Sequence, residues 1–233
     1  MRIIKIIAFV LANLSSFIGW GQIQTGELPA SYANASEKGN MQSYTIQLTD
    51  PNVAAEITED AVTDQHKEIA WRFGTLLPVN YTLSNSGEWS HDDNEGISTW
   101  KLRLSFQHAE SINLNFNNFQ LSSTAKLFVY NDNFSDVLGA ITVKNNKEDQ
   151  LFSIRPIKGS AITIELIVPQ NELEQNTISL NEVIYGYRSI HDKVQKVFQS
   201  SGRCHINVNC EEGKNWQDVT RAVEMVTTVN NTR

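Results

Sequence analysis

Cysteine is nearly missing from this chain: 233 residues carry only 2, Cys204 and Cys210. None lies between residues 71 and 188, so a domain there must be held by packing and not by cross-links. Positive charge is also short, with 19 Lys and Arg against 26 Asp and Glu and a formal charge of −7. An acidic chain repels phosphate backbones and anionic headgroups, which excludes nucleic acid and a charged membrane surface as natural partners. Apolar runs are short. The longest, Ile6 to Leu14, is broken at Asn13 and cannot cross ~30 Å of hydrocarbon. Strands alternating with helices are absent, which argues against a parallel sheet.

The short apolar run has a different meaning. Arg2 and Lys5 precede it, and Gly19 and Gly21 follow, three and one positions before a cut ahead of Gln22. That order is an export signal spanning 1–21. Its removal takes Arg2 and Lys5 with it and leaves a charge of −9. The product is expected to be secreted or periplasmic, with no membrane association after signal removal. Both cysteines then belong in disulfides, because the compartment is oxidising.

Residues 22–70 read as a flexible polar lead with one short strand, Ser43 to Leu48, and one helix. Asp50-Pro51 has the order of an N-cap followed by a first helical residue. Ala54, Ile57 and Ala61 give that helix a weak apolar face, and it ends near Asp64. From Trp71 the period changes to two. Val79, Tyr81 and Leu83 alternate with polar residues; so do Trp100, Leu102, Leu104 and Phe106, and Ile112, Leu114 and Phe116. Leu127 and Val129 alternate with Phe128 and Tyr130, so that strand is expected to be covered on both faces. Val137 to Thr142, Leu151 to Ile154, Ala161 to Val168 and Thr177 to Tyr187 continue the series. About eight to ten short strands separated by turn signals predict a mainly β fold, an antiparallel β-sandwich of jelly-roll type over 71–188. Residues 189–202 form a polar linker. Residues 203–233 hold one strand and one helix, an incomplete unit whose helix carries Trp216, Val219, Val223 and Val226 on one stripe.

Chemistry-bearing constellations are few. The 5 histidines, His66, His91, His108, His191 and His205, all sit in polar or loop-like settings. Cys204 neighbours His205, but a lone Cys-His pair in an exported chain is no nucleophile signature. The five-residue gap between the cysteines is no usual zinc spacing, so no metal is expected. Asp92, Asp93 and Glu95 lack the alternating order of a calcium loop and read as a soluble hairpin tip. Trp71, Trp89 and Trp100 can be drawn as a sugar-binding face, although the alternation around Trp100 places it in the core. No cofactor is implied.

Two groups of motifs carry a family resemblance. The first is Ser201-Gly-x-Cys204-x-Ile-x-Val-x-Cys210, followed by an acidic Gly turn, Trp216-x-Asp218 and Arg221-Ala-Val223. The second runs Arg72-Phe-Gly74, Asn85-Ser-Gly-x-Trp89, Trp100-x-Leu102, Ala125-Lys-Leu-Phe-Val-Tyr-Asn131 and Gly186-Tyr-Arg188. Together these resemble the pro-region and the first catalytic-domain residues of secreted bacterial serine proteases of the lysyl-endopeptidase-like, trypsin-fold kind. The resemblance implies a non-catalytic pro-region that keeps a protease latent and aids its folding, and 203–233 as the truncated start of the catalytic domain. The catalytic His, Asp and Ser of that family have no counterpart here, so the chain as given is expected to be no enzyme. Its implied partner is the missing catalytic domain, and Lys196-Val197 is the implied processing bond. In the family the corresponding cysteines bond to separate partners further along. Here Cys204 and Cys210 are left either to pair with each other or to remain thiols. The alternative is a stand-alone secreted sandwich that binds a glycan or a protein.

Overall fold

A computed structural model describes residues 24–33, 44–66 and 69–190. Within them lie two α-helices, α1 (Ala30–Ala33) and α2 (Ala54–Thr63), and eleven strands. In chain order these are β1 (Thr45–Gln47), β2 (Gly74–Thr82), β3 (Glu88–Asp92), β4 (Ile97–Ser105), β5 (Ser111–Gln120), β6 (Lys126–Asn131), β7 (Val137–Ile141), β8 (Phe152–Ser153), β9 (Ile157–Lys158), β10 (Ala161–Pro169) and β11 (Thr177–Gly186). One sheet runs β1-β4-β10-β6-β7, with β3 sharing the outer edge of β4. The other runs β2-β11-β5-β8, with β9 also pairing β5. The mainly β sandwich read from the sequence is the fold.

Period-two alternation builds it. Trp100, Leu102 and Leu104 of β4 face Ile112, Leu114 and Phe116 of β5 across one core, joined by Ile162, Ile164 and Leu166 of β10. All are essentially removed from water. Their partners in alternation, such as Lys101 and Arg103, point outward, and Arg103 holds Asp132 through two hydrogen bonds. Burying both apolar faces at once is what two stacked sheets achieve.

β6 is covered on both sides, as its sequence indicated. Leu127 and Val129 enter the main core. Phe128 and Tyr130 form a second cluster with Ala140, flanked by Phe134, Val137 and Ile167. Residues 24–33, part of the lead read as flexible, lie against this outer face. Gly26 N donates to Gly139 O at 3.1 Å, beside the edge strand β7. Tyr32 meets Phe134 edge-on at 5.3 Å. Beneath sits Glu165, 0% exposed. Tyr130 Oη donates to it at 2.7 Å and Ser31 N at 3.3 Å. Burial first, and then the charge of Glu165, push the Tyr130 phenol far above its ordinary value.

One local expectation is corrected. Asp50 does not cap α2. The N-cap is Val53, without a side-chain bond. Asp50 instead accepts from Gln107 N at 2.9 Å and pairs with the His108 ring at 2.7 Å, so a tertiary contact outcompetes the local one. Every strand pairing within 71–188 is antiparallel, and a parallel pair joins β1 of the lead to β4, with Thr45 opposite Arg103. Nearly fifty residues separate the two strands, ample for the crossover that parallel pairing needs.

Candidate functional site

Of the five motifs within the described residues, four converge on two places, and the fifth, Ala125–Asn131, supplies β6. The first is the turn between β2 and β3. Asn85 Oδ1 accepts from Thr82 N at 2.8 Å and its amide donates to Asn80 O at 3.1 Å, closing the turn on itself. The Trp100 indole donates to Ser86 O at 2.9 Å, and the Trp89 indole to Leu83 O at 3.1 Å. Gly87 has φ +70, and a Cβ there would sit 2.7 Å from the Trp100 ring and 2.5 Å from Lys101 O. Asn, Ser, Gly and the two tryptophans therefore form one packed turn. Trp100 belongs to the core, as the alternation around it indicated.

The second place is the exit of the sandwich, at the end of β11. Arg72-Phe-Gly74 opens β2 and Gly186-Tyr-Arg188 closes β11, and the two motifs lie side by side. Gly74 is opposite Gly186. Both Tyr187 N and Arg188 N donate to Phe73 O at 3.1 Å. A Cβ on Gly74 would lie 2.7 Å from Tyr185 O, and one on Gly186 2.9 Å from Ser111 O, so only glycine permits this close approach.

Helix α2 docks onto this junction through charge. Its one buried residue is Asp60, 3% exposed, while Ile57 of its apolar face stays 52% exposed. Asp60 Oδ2 accepts from Tyr187 Oη at 2.6 Å and pairs with Arg188 Nη1 at 3.1 Å. Its Oδ1 pairs with Arg72 Nε at 3.3 Å. Arg72 also grips Glu59, and Arg188 also grips Asp64. The Arg188 guanidinium lies 4.5 Å above the Trp71 ring and donates to Arg72 O at 3.2 Å.

The electrostatics follow from that packing. Burial, and then the hydrogen bond to Asp60, hold the Tyr187 phenol well above its usual range. The hydrogen bond to Glu59, with Asp60 behind it and burial working against them, raises the Arg72 guanidinium. Burial pulls Arg188 down, and the bond and charge of Asp64, reinforced by Asp60, more than offset it. A carboxylate shared by two guanidiniums and a phenol acts as a lock that ties α2 to the ends of β2 and β11.

The residues singled out in the sequence as sites, Gly21, Gln22, Lys196, Val197, Cys204 and Cys210, lie outside the described residues, as do His191 and His205. The acidic hairpin tip spends oxygens within its own loop and on the chain just after β10. Asp92 Oδ1 accepts from Asn94 N at 3.0 Å, and Asp93 Oδ1 from Gln170 Nε2 at 3.0 Å. Trp71, Trp89 and Trp100 divide between the exit, the turn and the core. Among the described residues no three His, Cys, Asp or Glu side chains converge as metal ligands, and no helix is long and apolar enough to cross a membrane. The lock was missed in the sequence, although Glu56, Asp60 and Asp64 recur at four-residue spacing and so share one helical face.

No family model matches the chain. Among solved structures, part of the chain is similar to an exo-β-1,3-galactanase from Phanerochaete chrysosporium, determined with galactose. The identity is 11%, the match covers 49% of this chain and 30% of that one, and the TM-score is 0.21. A likeness of that size carries no argument about function. The chain spans well under half the length of that enzyme.

Proposed function

We propose that the sandwich is the non-catalytic pro-region of a secreted serine protease of the lysyl-endopeptidase-like, trypsin-fold kind. An export signal precedes it, and the first residues of the catalytic domain follow it. The observation that supports this reading is the placement of the motifs. Five of them, spaced over more than a hundred residues, fall on the elements that define one folded unit from its first core strand to its exit. The first and last of the five are bonded to each other where the chain leaves for the linker.

A pro-region of this build acts by holding a rigid surface next to a slow-folding client. Trypsin-fold barrels are rich in non-local strand pairs and fold slowly for that reason. A prefolded sandwich with a fixed exit restricts where the client's first strand starts, which lowers the entropy lost in closing its long loops. Cutting at Lys196-Val197 then releases the client.

Co-refolding tests this. The chain from Gln22 onward is added to a denatured lysine-specific catalytic domain of the same kind during dilution. The expected result is a several-fold gain in recovered active sites, proportional to the chain supplied. An unchanged yield, together with saturable binding of the same preparation to a glycan array, would favour the stand-alone binding module.

A further inference from the structure

Residues 24–33 form a strap across the outer face of β6, β7 and β10, and few contacts hold it there. Thr25 N donates to Ala140 O at 3.3 Å and Gly26 N to Gly139 O at 3.1 Å, along the open edge of β7. The edge answers with Gly139 N to Gln24 Oε1 at 3.3 Å and Ala140 N to Thr25 Oγ1 at 3.2 Å. Pro29 is the one buried residue of the strap. Its two large side chains, Leu28 and Tyr32, stay 55% and 48% exposed. Few buried apolar contacts and water-exposed backbone bonds mark a segment that opens locally, without unfolding of the sheets beneath it.

The floor is the opposite. Phe128, Ala140 and Glu165 are sealed from water. A buried carboxylate on the outward face of a central strand commonly stabilises no more than an apolar side chain would. What Glu165 adds is selectivity, because whatever covers it must bring a donor. Ser31 N supplies one at 3.3 Å and Tyr130 Oη another at 2.7 Å, while Lys101 Nζ stands 4.0 Å away. Beside them Tyr130 stacks on Phe134 at 4.7 Å, and Phe134 receives Tyr32 edge-on. A strand edge, an aromatic pair and a buried acceptor thus lie on one surface.

The geometry points to a binding site for an extended peptide on this face, filled in the resting chain by residues 24–33 acting as a ligand in cis. Strand-edge bonds give affinity whatever the side chains, and the features beside the edge set what is accepted. The fitting segment offers backbone N–H groups to Gly139 and Ala140, a further N–H to Glu165 and an aromatic ring to Phe134. A tethered occupant competes at high effective concentration, so a free peptide enters only when the strap lets go. The site stands whether or not the sandwich serves a protease.

The test uses the chain from Gln22 to Arg233 and an end-blocked, fluorescein-labelled peptide with the sequence of Gln24 to Ala33, followed by anisotropy. Gly26→Pro combined with Ser31→Pro removes two strap donors and denies residue 26 its φ of +74, while every floor residue is kept. This double variant is expected to bind the peptide saturably, about tenfold or more tighter than the unaltered chain, whose site is already occupied. A peptide carrying Ser31→Pro should bind the double variant about tenfold more weakly, the effect of losing one bond to a charged acceptor. Hydrogen exchange at Gly139 and Ala140 should quicken in the double variant and slow again when the peptide is added. Binding no tighter in the double variant than in the unaltered chain would overturn the inference. So would unchanged exchange at Gly139 and Ala140, because the named bonds would then not be what holds the strap. Equal binding of a scrambled peptide would overturn it as well, leaving only a non-selective apolar surface.

Discussion

Gly87→Ala is expected to lower the unfolding temperature of the sandwich by roughly 10 °C, a loss of about 3 kcal/mol. Two costs combine. An alanine held at φ +70 carries backbone strain of about 1 kcal/mol. The added methyl also meets the Trp100 ring at 2.7 Å and Lys101 O at 2.5 Å. Neither can retreat, because Trp100 is fixed by Ser86 and by the core and Lys101 O belongs to a strand. Overpacking of this kind costs about 1–3 kcal/mol. Gly96→Ala separates the two terms. Its φ is +65, yet nothing lies within 4 Å of the added Cβ. Thermal unfolding should therefore show a small shift for Gly96→Ala and a large one for Gly87→Ala. Equal shifts would mean that the Trp100 turn contributes nothing beyond strain.

Asp60→Ala is the second large effect. Removing the shared carboxylate strands Tyr187 Oη and loosens two guanidiniums that are partly withdrawn from water. Taking one partner from a buried ionic group costs about 3–5 kcal/mol, and less here because both arginines keep a second acid. We expect about 2–3 kcal/mol. The loss should be local. A ten-residue helix does not persist alone in water, and α2 has no apolar anchor to replace the lock. Hydrogen exchange across Ala54–Thr63 should accelerate strongly while the strands of the core stay protected. Asp60→Asn keeps an acceptor for Tyr187 but not the charge, and should fall between the two. Unchanged exchange in α2 for Asp60→Ala would show that the helix is held by something other than these contacts.

Much of the fold was legible because side chains on a strand alternate with period two. Trp100-Leu102-Leu104 and Ile112-Leu114-Phe116 needed only that rule. The double covering of β6 was legible for the same reason, since Phe128 and Tyr130 break the alternation on the outward side. The lock was not. Asp60 gains its role only when the β2–β11 pairing carries Arg72 and Arg188 to the same spot, and the two lie 116 residues apart in sequence. An apolar face on α2 was the stronger local signal, yet that face is the one left outside. Asp50 misled in the same way, because Pro51 behind it fits a helix start while Gln107 and His108 claim its oxygens. β1 pairs parallel through a crossover that local pattern cannot specify. The residues expected to carry processing and cross-linking, Lys196, Val197, Cys204 and Cys210, belong to a stretch whose meaning rests on motif order alone.

Titrating the chain from Gln22 onward into an active lysine-specific, trypsin-fold secreted protease, and following hydrolysis of a lysyl amide, tests the pro-region reading most directly. The prediction is a saturable loss of hydrolysis at one chain per active site, reversed as the chain is cut after Lys196. Undiminished hydrolysis at every chain concentration reached, or lysyl-amide hydrolysis by the chain alone, would contradict it.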